Sequence, residues 1–273
     1  MLKFNYIYGP VQSWRMGKSL GIDPICSDHK ICNLNCLYCQ LGRTRDYTNE
    51  RGLFTPTDKI LEEIKRFFTE VSSVDQEITR GIDYLTLSGR GEPTLAKNLG
   101  EIIRGIKQLR KERVAVITNA TLMGLPEVRE ELALADYVSA KLDASSEFVF
   151  LKVNRPIIGT TFGQTIEGIK KFSRQFSGKL VLQIMFVETN QPDASGIAKL
   201  VREIPADEIQ INTPLRPSAT PALDKENIKK IKNCFAGLPV VSVYDGEQKP
   251  SSPLDAQDTM RRHGCFVATD RAH

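Results

Sequence analysis

Eight residues constrain this chain more than any others: Cys32-Asn33-Leu34-Asn35-Cys36-Leu37-Tyr38-Cys39. Intervals of four and three residues let three thiolates converge from one loop on a single cubane iron–sulfur cluster. A cubane has four irons, so three thiolates leave one iron open to another ligand, much as a catalytic zinc keeps a position open. A zinc knuckle and three packing thiols are the competing readings. Zinc sites favour paired Cys-x-x-Cys units or histidines at set spacing, and His29 is the only histidine near these cysteines.

A second stretch, Ser88-Gly89-Arg90-Gly91-Glu92-Pro93-Thr94-Leu95, follows the strand-like run Ile82–Leu87. Together the two stretches resemble the radical S-adenosylmethionine (SAM) superfamily. Cys32-x3-Cys36-x-Tyr38-Cys39 matches its Cys-x3-Cys-x-aromatic-Cys signature, and Gly89-Arg90-Gly91-Glu92-Pro93 is similar to its Gly-Gly-Glu-Pro element, with Arg90 in place of a glycine. The resemblance implies a [4Fe–4S] cluster on Cys32, Cys36 and Cys39, with SAM chelating the open iron. It implies reductive cleavage of SAM to methionine and a 5′-deoxyadenosyl radical, which takes a hydrogen atom from a substrate. It further implies that Gly89, Gly91 and Glu92 meet the methionyl ammonium and that Tyr38 meets the adenine edge through its backbone.

Other candidates come from position. Arg90 is expected to face solvent, with the SAM carboxylate as its alternative partner. Thr118 and Asn119 end one predicted strand, and Lys141 and Asp143 end the next; strand ends face the mouth of a barrel. Asp143 suits a ribose diol and Lys141 the SAM carboxylate, with a helix cap and a solvated chain end as their alternatives. Gln183 and Glu188 lie at odd spacing on one strand, so only one of them points inward. Asn212, Thr213 and Arg216 close the last strand and are expected to touch substrate.

The fold expectation is α/β: a partial (β/α)6 TIM-like barrel, residues 19–243, with an N-terminal leader over 1–18 and a C-terminal extension over 244–273. Strands are expected from residues 19, 82, 114, 137, 180 and 208. Helices alternate with them near 57–68, 98–109, 126–134, 161–176, 193–203 and 225–235. Thr57-Asp58 is read as the first helix cap. Alternation alone also fits a doubly wound sheet; the resemblance implies the open barrel. With 273 residues and a hydrophobic fraction of 41%, the chain can bury one large core.

No apolar run of membrane-spanning length and no secretory head-and-core pattern is visible, so the cytoplasm is the expected compartment and no membrane partner is expected. A net charge of +4 tolerates phosphate-bearing partners without demanding them. The expected partners are a one-electron reductant such as a ferredoxin or flavodoxin, and a small-molecule or RNA substrate. Gly9-Pro10-Val11, Ser19-Leu20-Gly21 and Asn212–Pro217 resemble iron–sulfur oxidoreductases related to the wyosine-synthesis enzymes. The wyosine enzyme's second cluster, on N-terminal cysteines, has no counterpart here, since no cysteine precedes Cys26. An activase that installs a glycyl radical and a non-catalytic iron–sulfur electron carrier are the alternative functions.

Of the other cysteines, Cys26 and Cys234 read as packing thiols. Cys265 is a speculative hydrogen-atom donor to a product radical, against the plainer reading of an isolated thiol. Replacing Cys32, Cys36 or Cys39 singly by Ala should abolish stable cluster binding. Cys26→Ala, Cys234→Ala and Cys265→Ala should retain it, as measured by iron content after anaerobic reconstitution.

Overall fold

The computed structural model describes residues 3–246 and 253–263. Runs rich in aliphatic and β-branched residues form one eight-stranded sheet: β1 (Ile7–Ser13), β2 (Gly17–Ile22), β3 (Tyr84–Leu87), β4 (Arg113–Thr118), β5 (Tyr137–Lys141), β6 (Lys179–Met185), β7 (Glu208–Asn212) and β8 (Val240–Ser242). Strands neighbour one another in chain order. Strand β1 runs antiparallel to β2, and every later pairing is parallel. The six expected strands are β2 to β7. A doubly wound sheet reverses its strand order part-way; this one never does, which leaves the open barrel.

Among the described residues eight helices of seven residues or more accompany the strands: α1 (Thr57–Arg66), α2 (Leu99–Leu109), α3 (Pro126–Leu132), α4 (Glu147–Val153), α5 (Phe162–Ser173), α6 (Ala194–Val201), α7 (Lys225–Cys234) and α8 (Ala256–His263). Alternate strand residues, among them Leu20, Ile22, Leu85, Leu87, Val114, Val116, Val138 and Leu182, share one core with the helices. Helix α1 enters it through Ile60 and Ile64, with Phe67 just beyond, all fully buried at helical spacing. Thr57 is the first residue of α1 rather than its cap. Its hydroxyl accepts from Asn98 Nδ2 at 2.9 Å, while the same amide donates to the Thr55 carbonyl at 2.9 Å, tying the starts of α1 and α2 together. Helix α4 was not expected; Ser146 caps it by accepting from the Val149 N–H at 3.4 Å.

The opposite face of the sheet lines the barrel. At its floor Met16, from the β1–β2 turn, packs on Ala115, Tyr137 and Val181. Residues 7–13, expected within a leader, are therefore an integral strand. Glu63 of α1 holds the segment before β1: its carboxylate accepts from the N–H groups of Asn5, of Tyr6 at 2.6 Å and of Ile7 at 3.1 Å. The stretch around α8 packs on β1, with Leu254 N–H donating to the Gly9 carbonyl at 2.9 Å and Gly9 N–H donating to Thr259 Oγ1 at 3.2 Å. No helix of the described residues is long and apolar enough to cross a membrane. Cys265 lies outside the described residues.

Removing the Glu63 carboxylate strands buried backbone donors, each costing about 1–3 kcal/mol when unsatisfied. Glu63→Ala should lower the midpoint of thermal unfolding by several degrees, read by circular dichroism, whereas Glu62→Ala on the exposed face should leave it unchanged.

Candidate active site

The cysteine loop leaves the C-terminal end of β2 and the glycine loop leaves that of β3, so parallel neighbours deliver both to one rim. The loops are joined backbone to backbone. Ile31 N–H donates to the Arg90 carbonyl at 3.1 Å, and Glu92 N–H donates to the Ile31 carbonyl at 3.1 Å. Any side chain at position 91 would overlap the Ile31 carbonyl oxygen. Gly89 has φ +146°, and a Cβ there would lie 2.6 Å from both oxygens of Asp23. Asp23 is buried beneath the loops and accepts from the N–H groups of Ile25 at 3.1 Å, Cys26 at 2.9 Å and Arg90 at 3.1 Å. Burial pushes its carboxyl up, and these donors hold it back. Arg90 is half-buried, and its side chain donates to the Asp28 carbonyl instead of reaching freely into solvent.

Nitrogen donors surround the sulfurs. Cys32 Sγ accepts from Leu34 N–H at 3.4 Å and from Asn119 Nδ2 at 3.6 Å, and Cys36 Sγ accepts from Asn154 Nδ2 at 3.4 Å. Lys30 is buried as well. Burial disfavours its charge, but the neighbouring Cys39, Cys32 and Cys36 more than offset this and raise it. Burial pushes the Cys32 thiol up to about 12, so it ionises only when something stabilises the thiolate. A metal deprotonates a coordinating thiol outright, and the N–H groups and ammonium match the resulting charge. Among the described residues no three His, Cys, Asp or Glu side chains close around a single ion. A cubane, whose thiolates bind different irons, needs a wider set. The donor set fits an iron–sulfur cluster.

Glu92 is fully engaged by protein. Its Oε1 accepts from Thr94 N–H at 3.1 Å, Thr94 Oγ1 at 2.7 Å and Thr118 Oγ1 at 2.6 Å, and its Oε2 from Asn119 N–H at 2.7 Å. Burial pushes this carboxyl up and the same bonds restrain it. Asn119, held by its backbone, sends Nδ2 to Asn33 Oδ1 at 2.7 Å as well as to Cys32. Glu92 thus fixes the strand end that touches the sulfur.

Tyr38, Lys141 and Asp143 form one buried group. The Tyr38 hydroxyl donates to Asp143 Oδ2, which also accepts from Asn154 Nδ2 at 2.8 Å; Oδ1 accepts from Met185 N–H at 2.7 Å. Lys141 Nζ lies 3.2 Å from Asp143 Oδ1 and 4.7 Å from the Tyr38 ring centre. Burial, and next the Asp143 charge, push the Tyr38 hydroxyl well up. Asp143 therefore caps no helix: it ties the end of β5 to the end of β6 and to the cysteine loop.

Gln183 is buried in register with Lys141, whereas Glu188 is exposed beyond the end of β6. Asn212 and Thr213 shape the loop after β7, with Thr213 Oγ1 accepting from Leu223 N–H at 2.8 Å; Arg216 is exposed on that loop. Cys26 and Cys234 are half-buried and bond to Asn5 O and Ser195, away from the three-thiol group. Asp23, Lys30, Asn33 and Asn154 were not anticipated. Lys30 and Asn33, on either side of Cys32, carried a signal in their position; Asp23 and Asn154 carried none.

A family model for the radical SAM superfamily matches residues 27–201. The chain belongs to the radical SAM superfamily. It is an enzyme of that family, which uses a [4Fe–4S] cluster and SAM. It is 44% identical over 215 residues to a UPF0026 protein of Synechocystis, covering 78% of this chain and 77% of that one. A Brachyspira hyodysenteriae protein named GTPase Obg is 32% identical over 94% of this chain, which spans only 38% of its length. Among solved structures, TYW1 with a lysine–pyruvate adduct bound is similar at a TM-score of 0.60 and 16% identity, covering 81% of this chain and 74% of that one. At that identity the likeness shows the fold.

Gly91→Ala should unzip the two loops, lowering the unfolding midpoint by several degrees (about 1–3 kcal/mol) and cutting iron content after reconstitution. Gly163→Ala, in α5 with open space around it, should leave both intact or raise the midpoint slightly.

Proposed function

We propose that Cys32, Cys36 and Cys39 hold one [4Fe–4S] cluster and that Lys141, with the polar strand ends beside it, receives SAM. The observation that carries this reading is the ring of N–H donors and one buried ammonium around three otherwise costly thiols. When bound, the cluster supplies the electron that cleaves SAM to methionine and a 5′-deoxyadenosyl radical, which takes a hydrogen atom from the substrate.

The chain's own residues divide the remaining work. Lys30, Asn119 and Asn154 offset thiolate charge and fix sulfur orientation, as outer partners do at metal sites. Gly89 and Gly91 keep the glycine loop against the cysteine loop, leaving backbone groups as the surface presented to the methionyl end. Glu92 acts chiefly by holding Thr118 and Asn119, so its expected contact with the ammonium runs through the one carboxylate oxygen, Oε2, that takes a single bond. Asp143 is committed to Tyr38, Asn154 and the Met185 N–H, which leaves Lys141 the better placed of the pair to meet a carboxylate.

Membership in an enzyme family sets aside the electron carrier. A ferredoxin or flavodoxin in the cytoplasm is the proposed reductant, and a small molecule is favoured over RNA because the inner barrel face is lined by buried polar groups.

Anaerobically reconstituted protein should carry about four irons per chain. Reduced by a strong one-electron donor and given SAM, it should release methionine and 5′-deoxyadenosine slowly without substrate, measured by chromatography. Iron near twice that level, stoichiometric zinc, or no deoxyadenosine from a full, reduced cluster would overturn the assignment.

A further inference from the structure

Buried polar atoms without a partner are few in a folded protein and ask for an explanation. Among the described residues most of them lie on the inner face of the barrel. Ser139 Oγ on β5, Gln183 Nε2 on β6 and Gln210 Oε1 on β7 are buried and unpartnered, as is Arg15 Nε at the β1–β2 turn. The three strand residues are 1%, 4% and 0% exposed.

Register gathers them. Lys141, Gln183 and Gln210 stand directly beside one another on three parallel strands, so their side chains leave the sheet on the same side. Ser139 is two residues before Lys141 and shares its face. Gln210 Nε2 donates to the Tyr137 hydroxyl at 3.1 Å. Arg15 stands beside that tyrosine: its charge draws the Tyr137 hydroxyl down against the burial that lifts it to about 12.

The balance of donors and acceptors defines what is missing. Arg15 Nε–H and Gln183 Nε2 can only donate, Ser139 Oγ can donate, and Gln210 Oε1 can only accept. A partner for this set is rich in acceptors. The Arg15 guanidinium adds a demand for negative charge, and a guanidinium fork matches carboxylate and phosphate geometry.

We propose that the barrel interior binds a small organic anion, carboxylate or phosphate, through Arg15, Ser139 and Gln183, with Gln210 accepting from its hydrogen-bearing end. This names the substrate class of the radical site and rests on that reading only for calling the ligand a substrate. The row that ends at Gln210 begins at Lys141, which adjoins Tyr38 of the cysteine loop, so it runs from the barrel interior toward the loop that carries the thiols.

The test is calorimetric titration of reconstituted, SAM-loaded full-length chain with succinate, with inorganic phosphate, and with butane-1,4-diol as succinate's neutral counterpart. At least one anion should bind more tightly than the diol, and which anion binds better tells a carboxylate from a phosphate ligand. Arg15→Met should weaken that binding about ten- to a hundredfold and Gln183→Leu about two- to tenfold. If Arg15→Met fails to fold by circular dichroism, Arg15→Lys keeps the charge without the fork and should still lose several-fold. Neither anion outbinding the diol, or folded Arg15 variants binding as wild type does, would overturn the proposal. Deoxyadenosine release by wild-type protein is scored separately: its absence would remove the radical reading, while anion binding would stand on its own titration.

Discussion

The site depends on a backbone contact between two loops that no side chain is allowed to interrupt. Ile31 exchanges hydrogen bonds with Arg90 and Glu92 across a gap closed only because residue 91 has no Cβ. That contact turns two strand ends, each separately ordinary, into one rigid rim. Asp23 fastens the rim from below, its carboxylate accepting three backbone N–H groups on the two loops. Everything nearer the sulfurs, including Asn119 and the Glu92 bonds, takes its position from this pairing.

Above that base the site stores charge that is already arranged. Lys30, Glu92 and Asp143 are all buried, and each is surrounded by groups that answer it. Buried polar networks are costly when half-satisfied and rigid when complete. Here the more complete networks lie around the thiols, where Asn154 Oδ1 is left without a partner, and the less complete one lies in the barrel interior. A protein that must hold a metal cluster still while admitting changing ligands has reason to separate the two.

Much of this was legible in the residues. The strands β2 to β7 announced themselves through apolar, β-branched runs, and both chemical loops were visible as cysteine and glycine spacings. What was hidden depended on distance in sequence. Asn154 reaches Cys36 across 118 positions, and nothing in its neighbourhood marks it. Helix α4 was missed because its apolar residues do not follow burial: Phe148 and Leu151 are 65% and 52% exposed, so the run carries no clear helical stripe. The resemblance points Gly91 only at the methionyl ammonium. The structure shows the Ile31 carbonyl there. Thr57 was misread as a cap because a threonine opening a helix usually is one; its hydroxyl instead serves Asn98.

Arg262 of α8 joins this architecture from the far side of the chain, donating to the Asn5 carbonyl across 257 positions and standing 3.8 Å from Asp23. The consequence is one of timing. A chain emerging at about 5–20 residues per second exposes its cysteine loop on the order of ten seconds or more before Arg262 exists. During that interval the buried carboxylate beneath the loop lacks its only cationic neighbour among the described ion pairs. Iron–sulfur delivery to a nascent chain would meet thiols on an unfinished floor, whereas delivery after release meets the closed one.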